Sequence, residues 1–169
     1  MIRVMPNDSR ALIDADHAAF IQRGISIDIS SCGHDRLPVS ARAIGCCVSD
    51  DHRTLTILVS ERQAEAVVAG VRQRGVLAVS FSEPSTHRTV QLKGSDAVVA
   101  SASSADLAHA ARYRGNYTRE LGLLGYNPDL IFALLSCPDD DVVAISFTPN
   151  AAFSQTPGPN AGQALLVHA

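Results

Sequence analysis

The sequence lacks the features that mark several common classes of protein. It has no basic run and a formal net charge of -3, so we expect no nucleic-acid partner. No stretch approaches the roughly 20 apolar residues that cross a bilayer, and segment 1–10 lacks the apolar core of a secretion signal. These absences predict a soluble, cytoplasmic protein without a membrane partner.

Motifs that carry chemistry are equally scarce. The 4 cysteines form no C-x-x-C pair and the 6 histidines show no metal-ligand spacing, so no metal site is predicted. Cys46 and Cys47 are adjacent, and a disulfide between neighbours would be strained, which favours structural thiols. No serine lies in a nucleophile-elbow sequence. The catalytic residues are therefore left unknown.

What the sequence does contain is the composition of a globular protein. It has 169 residues, of which 46% are hydrophobic and 18% are charged. This balance excludes a disordered chain, and the length suits one domain with a sizeable core. We expect a single domain over residues 1–169.

Alternating apolar and polar residues predict short strands joined by turns. The predicted strands cover 25–30, 38–48, 55–59, 76–81, 88–102 and 142–147. Gly94, within the longest of these runs, suggests a bulge. The tail after Pro149 is rich in Pro and Gly and is predicted to be extended or loop-like.

Four helices are predicted between or before these strands. They cover 9–23, 60–75, about 105–124 and 128–135. Asn7, Asp8 and Ser9 are capable caps for the first helix, and Ser60–Gln63 resembles a capping box for the second. The third helix is predicted to be interrupted or kinked near Gly115. The sum is a mainly β (α+β) fold, a largely antiparallel small barrel with helices packed outside.

Two parts of the chain resemble one known family. The strand 76–81 followed by H-R-T-V-Q-L-K-G at 87–94 resembles the pyridoxamine 5'-phosphate oxidase-like FMN-binding split barrels. In that family a strand, a short turn and an Arg-x-Val-x-hydrophobic-x-Gly strand recur in this order. Upstream, P-V-S-A-R-A at 38–43 and I-L-V-S at 57–60 also match. The resemblance implies a split β-barrel that binds FMN at the interface of a homodimer.

The resemblance also implies which residues contact the FMN ring. They are Val39, Ser40, Ala41 and Arg42 beside the ring, Leu58, Val59 and Ser60 along it, and Thr89 from the following strand.

The phosphate of FMN would meet the helix start at Ser60, Arg62 and Gln63. A helix start offers unpaired N–H groups to an anion, and Arg62 adds a permanent charge. The oxidases of the family have Arg followed by Lys here, whereas this chain has Arg62 followed by Gln63. Arg88 is a further candidate for a phosphate or a substrate carboxylate, with a surface ion pair as the alternative.

The implied activity is that of an oxidoreductase in which the flavin carries hydride or electrons and the protein binds and orients it. Two alternatives stay open. The chain could be a non-catalytic module that binds a flavin or another small ligand, or a ligand-free structural dimer. The substitution of Gln63 for the expected lysine is compatible with both alternatives.

Overall fold

A computed structural model of the chain describes residues 13–165. Their strands are β1 (Ser26–Cys32), β2 (Pro38–Arg42), β3 (Gly45–Val48), β4 (Leu55–Ser60), β5 (Leu77–Ser82), β6 (Thr89–Gly94), β7 (Val98–Ser101), β8 (Val142–Phe147) and β9 (Ala151–Ser154). These strands form one sheet in the order β2-β1-β5-β6-β9 and another in the order β3-β4-β8-β7. All neighbouring strands are antiparallel, as the sequence predicts.

The chain crosses from one sheet to the other four times, and these crossings join the sheets into a split barrel. The predicted strand 38–48 is in fact two strands, because the chain changes sheets after β2. Ala43 N–H donates to Ile27 O in the first sheet, while Ile44 N–H donates to Leu58 O in the second. The other crossings lie between β4 and β5, between β6 and β7 and between β8 and β9.

Gly94 lies at the crossing between β6 and β7, and the bulge predicted there is wrong. It is the last residue of β6, and a Cβ at this position would lie 2.4 Å from Phe147 Cδ2. Only glycine leaves room for this ring at the corner where the two sheets meet. The predicted strand 88–102 is therefore also divided between the sheets.

The helices are α1 (Ala15–Ile21), α2 (Glu65–Arg74), α3 (Ser104–Leu123) and α4 (Pro128–Leu134). Asp14 caps α1 by accepting from His17 N–H, and the predicted caps at positions 7–9 lie outside the described residues. The interruption predicted near Gly115 is absent, since α3 is continuous through this position. No described helix is both long and apolar enough to cross a membrane.

The core lies between the two sheets and beneath the helices. Its largest fully buried side chains are Phe81, Phe147, Ile13, Ile21, Ile25, Ile27, Ile29, Leu55, Ile57, Leu58, Leu135 and Ile145. Helix α2 packs on β1 from outside. The prediction of an antiparallel α+β barrel with external helices is confirmed, and strand β9 forms within the tail that was predicted to be extended or loop-like.

Candidate functional site

The turn between β4 and α2 presents the groups that were predicted to meet a phosphate. Ser60 ends β4, and α2 begins only at Glu65, so the predicted helix start at Ser60 is wrong. Half of the predicted capping box is present, because Gln63 N–H donates to Ser60 Oγ over 3.2 Å. The serine stays in the strand because it pairs with Val142 of β8.

A carboxylate of the same chain occupies this turn. Ser60 Oγ donates to Asp141 Oδ2, and the backbone N–H and Nε of Arg62 donate to Asp141 Oδ1 over 3.2 and 3.0 Å. Glu61 N–H donates to the backbone oxygen of Asp141 over 2.7 Å. We call Ser60, Glu61, Arg62, Gln63 and Asp141 the Asp141 corner. At this corner the Ser60 hydroxyl and two N–H groups of Arg62 converge on the Asp141 carboxylate.

The electrostatics of the Asp141 corner favour the ionised carboxylate. The side chain of Asp141 is only 7% exposed, whereas that of Arg62 is 73% exposed. The hydrogen bond from Ser60 and the bonds and charge of Arg62 hold the pKa of Asp141 below its usual value. The corner thus carries a buried negative charge at neutral pH.

Leu58 and Val59, predicted to lie along the flavin ring, are fully buried. Strand β4 lies between β3 and β8, so the backbone on both of its edges is paired. Their side chains belong to the barrel core, which a ligand on the surface does not reach.

Strand β2 presents the other predicted ring contacts at a sheet edge. It pairs with β1 only, among the described strands. Ser40 and Arg42 are exposed, while Val39 and Ala41 alternate with them and are half-buried. A ligand or a second chain could therefore meet polar and apolar side chains at this edge. It could also pair with backbone groups that have no partner among the described strands.

Arg42 is held in place by three neighbours. Its Nη1 donates to Ser26 Oγ over 3.0 Å and to Tyr117 OH over 3.2 Å, and its Nη2 lies 3.5 Å from Asp28 Oδ1. Tyr117 stacks on Tyr113 with ring centroids 5.7 Å apart. We call Ser26, Asp28, Arg42, Tyr113 and Tyr117 the Arg42 edge. It is a cation fixed beside a pair of buried tyrosines.

Among the described residues, Arg88 and Thr89 make no direct polar contact with these two groups, although Thr89 pairs with Ser82, which in turn pairs with Ser26 of the Arg42 edge. The Arg88 guanidinium lies over the Phe20 ring, 4.2 Å from its centroid. Thr89 Oγ1 is 2.8 Å from Ser82 Oγ, and Thr89 N–H donates to Thr156 Oγ1. Within residues 13–165, no hydrogen bond or ion pair joins Arg88 or Thr89 to the Asp141 corner or to the Arg42 edge.

The thiols and possible metal ligands provide no further site. All four cysteines are free, and burial raises the pKa of Cys46 well above its usual value. Burial also raises the pKa of Cys47 and Cys137. The described part of the chain brings together no group of three His, Cys, Asp or Glu side chains that could hold a metal.

Comparison with known proteins identifies the fold. No family model matches the sequence, and no curated protein sequence matches it significantly. Three solved structures are similar over most of both chains. HupZ of Group A Streptococcus has a TM-score of 0.54 at 13% identity, covering 89% of this chain and 99% of its own. An F420 reductase has a TM-score of 0.54 at 13% identity, and the match covers 83% of this chain and 98% of the reductase. A candidate pyridoxamine 5'-phosphate oxidase from Lactobacillus delbrueckii has a TM-score of 0.50 at 12% identity, and the match covers 88% of this chain and 97% of its own.

The fold is that of the pyridoxamine 5'-phosphate oxidase-like split barrels. This confirms, for the fold, the resemblance inferred from the sequence. At 12–13% identity the likeness does not extend to the ligand, which depends on the residues present.

The residues at the Asp141 corner do not fit the phosphate of FMN. The Ser60 hydroxyl and the backbone N–H and Nε of Arg62 already bind the Asp141 carboxylate. A phosphate placed there would also face a buried negative charge, which disfavours a second anion. Sequence reasoning missed Asp141 because its run of three aspartates reads as a turn. It also missed the contact between Arg42 and Tyr117, although the spacing of the tyrosines along one helix face was visible.

Proposed function

We propose that this chain is a homodimeric split-barrel protein that binds a flavin-type ligand and acts as an oxidoreductase. In this proposal the Arg42 edge contacts the ring, and FMN is not held through its phosphate at the Asp141 corner. The fold that the chain shares with an F420 reductase supports the ligand class. The observation that carries the proposal is the partly exposed guanidinium of Arg42 on the edge of β2 that no described strand pairs with.

The contacts of Arg42 support a role in binding. Its side chain is 39% exposed and that of Asp28 is 51% exposed, and an ion pair of this kind contributes little to stability. Tyr117 and Ser26 nevertheless fix the orientation of the guanidinium. An arginine oriented in this way can donate to a ring carbonyl or a carboxylate of a ligand.

Exposed apolar side chains support the homodimer. They are Leu37, Val98, Leu123, Leu124, Tyr126, Leu130, Phe132 and Leu134. Most of them cluster on α4 and at the end of α3, and β2 leaves an open sheet edge. Surfaces of both kinds are commonly covered by another chain.

Riboflavin, which has the ring but no phosphate, tests the proposal. We expect it to bind the wild-type dimer with quenching of its fluorescence. Arg42→Ala should weaken this binding roughly tenfold or more, the effect of losing a charge-assisted hydrogen bond. Arg53→Ala, which removes an exposed arginine from the turn between β3 and β4, is the control and should have no effect. Reduction of the bound flavin by a nicotinamide donor then tests the oxidoreductase activity.

A ligand-free structural dimer is the second candidate. Two observations favour it, namely the burial of Leu58 and Val59 in the core and the occupation of the Asp141 corner by an internal carboxylate. A colourless dimer that binds neither riboflavin nor FMN would support this candidate over the first.

A further inference from the structure

The Asp141 corner is arranged like an anion site that the chain fills with its own carboxylate. Three donors from the turn after β4 bind the two carboxylate oxygens, namely the Ser60 hydroxyl and the backbone and side-chain N–H groups of Arg62. Ser60 is 2% exposed and Asp141 is 8% exposed. The carboxylate is therefore largely withdrawn from water, with its charge balanced by Arg62.

The backbone fixes this carboxylate in position. Asp141 ends a short 3-10 turn (Asp139–Asp141) directly before β8. Since β8 pairs with β4 and Val142 lies opposite Ser60, the register brings Asp141 to the end of β4. The bond from Glu61 N–H to the Asp141 backbone oxygen extends the pairing by one residue. The side chain thus reaches the turn as a consequence of sheet register.

We propose that Asp141 is a specificity-determining residue that takes the place of a ligand's terminal phosphate. An incoming phosphate would have to displace a hydrogen-bonded carboxylate or lie beside it, and both are unfavourable. The chain therefore selects ligands that do not place a phosphate at this turn. For the class of ligand, a non-phosphorylated flavin, this inference rests on the proposed function.

Removal of the carboxylate tests the inference without any flavin. Asp141→Ala leaves Ser60 and Arg62 without their acceptor, and we expect a lower Tm. Inorganic phosphate should raise the Tm of this variant in a saturable manner, by more than chloride at equal ionic strength. The wild type should gain nothing beyond the chloride control, because its own carboxylate occupies the donors.

Two further variants show whether the effect of phosphate depends on the vacated acceptor position and on the charge of Arg62. Asp141→Asn keeps the shape and an acceptor oxygen, so phosphate should not stabilise it as it stabilises Asp141→Ala. Arg62→Ala combined with Asp141→Ala removes the cation and should abolish the stabilisation. Equal effects of phosphate on Asp141→Ala and on wild type, or an effect that persists without Arg62, would overturn the inference.

Flavins test the same residue as a determinant of ligand choice. Asp141→Ala should bind FMN at least tenfold more tightly than riboflavin, whereas wild type should not discriminate between them. If Asp141→Ala fails to fold, the comparison of FMN with riboflavin is made on the wild type. A tenfold preference of the wild type for FMN that is lost in Arg62→Ala would overturn the inference. If no protein binds a flavin but phosphate stabilises Asp141→Ala alone, the proposed ligand class fails and the assignment of Asp141 stands.

Discussion

Two arginines that the sequence presented as ligand contacts, Arg42 beside the ring and Arg62 at the phosphate, have different surroundings in the barrel. Arg62 binds a carboxylate that is 7% exposed, and Arg42 lies 3.5 Å from one that is 51% exposed. The first arginine binds a buried carboxylate through its Nε, whereas the second pairs with a solvated carboxylate and also donates to Ser26 and Tyr117. Because a solvated ion pair is exchanged more easily than a pair with a buried partner, Arg42 can turn to a ligand at the lower cost.

The largest difference between the Asp141 corner and the Arg42 edge should appear in thermal stability. Asp141→Ala leaves the buried Ser60 hydroxyl and Arg62 without an acceptor, and we expect Tm to fall by roughly 5–10 °C for a chain of this size. Asp28→Ala removes an exposed partner and should change Tm by no more than about 2 °C. Thermal unfolding followed by circular dichroism measures both. Equal losses would contradict the distinction between the corner and the edge.

The pH dependence of stability should reveal the same carboxylate. The folded-state pKa of Asp141 is lowered by Ser60 and Arg62. Its contribution is therefore fully present above the unfolded-state pKa of about 4, and is lost as pH falls through the lower folded-state pKa. Wild type should exceed Asp141→Asn in stability at neutral pH, and the gap should close below about pH 4.

Urea unfolding of the two proteins across this range measures that gap. Asp14 and Asp51 also have lowered pKa values, but both proteins contain them, so their effects cancel in the comparison. A gap independent of pH would mean that the shape of Asp141, rather than its charge, holds the corner together.

Riboflavin binding should depend more on Arg42 than on Arg62, the opposite of the order expected for stability. Arg42→Ala should weaken riboflavin binding roughly tenfold or more, while Arg62→Ala should leave it within about twofold of wild type. The physical reason is that the ion-pair partner of Arg42 is solvated and can yield to a ligand, whereas the partner of Arg62 is the buried carboxylate of Asp141. Fluorescence titration of the two variants decides the matter. A greater loss with Arg62→Ala would place the ligand at the corner.

Assembly is the last prediction. We expect light scattering at micromolar concentration to give twice the monomer mass. Leu130→Glu, which puts a charge on an apolar side chain that is 67% exposed, should weaken the dimer if the surface formed by α4 is in the interface. Arg53→Glu is the control on a different surface. A monomeric wild type would contradict the proposed homodimer.

The sequence predicted the parts of the fold that depend on local pattern. Strand β8 was predicted with its observed bounds, because an apolar run follows a turn of aspartates. The division of 38–48 between two sheets was missed, since alternation along a strand does not reveal which strands it pairs with. The role of Asp141 was missed for a similar reason, because its partner Ser60 is 81 positions away in the sequence.

The preference of the wild-type protein between FMN and riboflavin tests the central claim most directly, because the two ligands differ only in the phosphate. With the Asp141 carboxylate bound to Ser60 and Arg62, the phosphate should add nothing at this turn. We therefore predict dissociation constants for FMN and riboflavin that agree within about twofold, a difference of roughly 0.4 kcal/mol. FMN binding at least tenfold tighter than riboflavin, with the advantage lost in Arg62→Ala, would show that the corner is open to phosphate and would contradict the account.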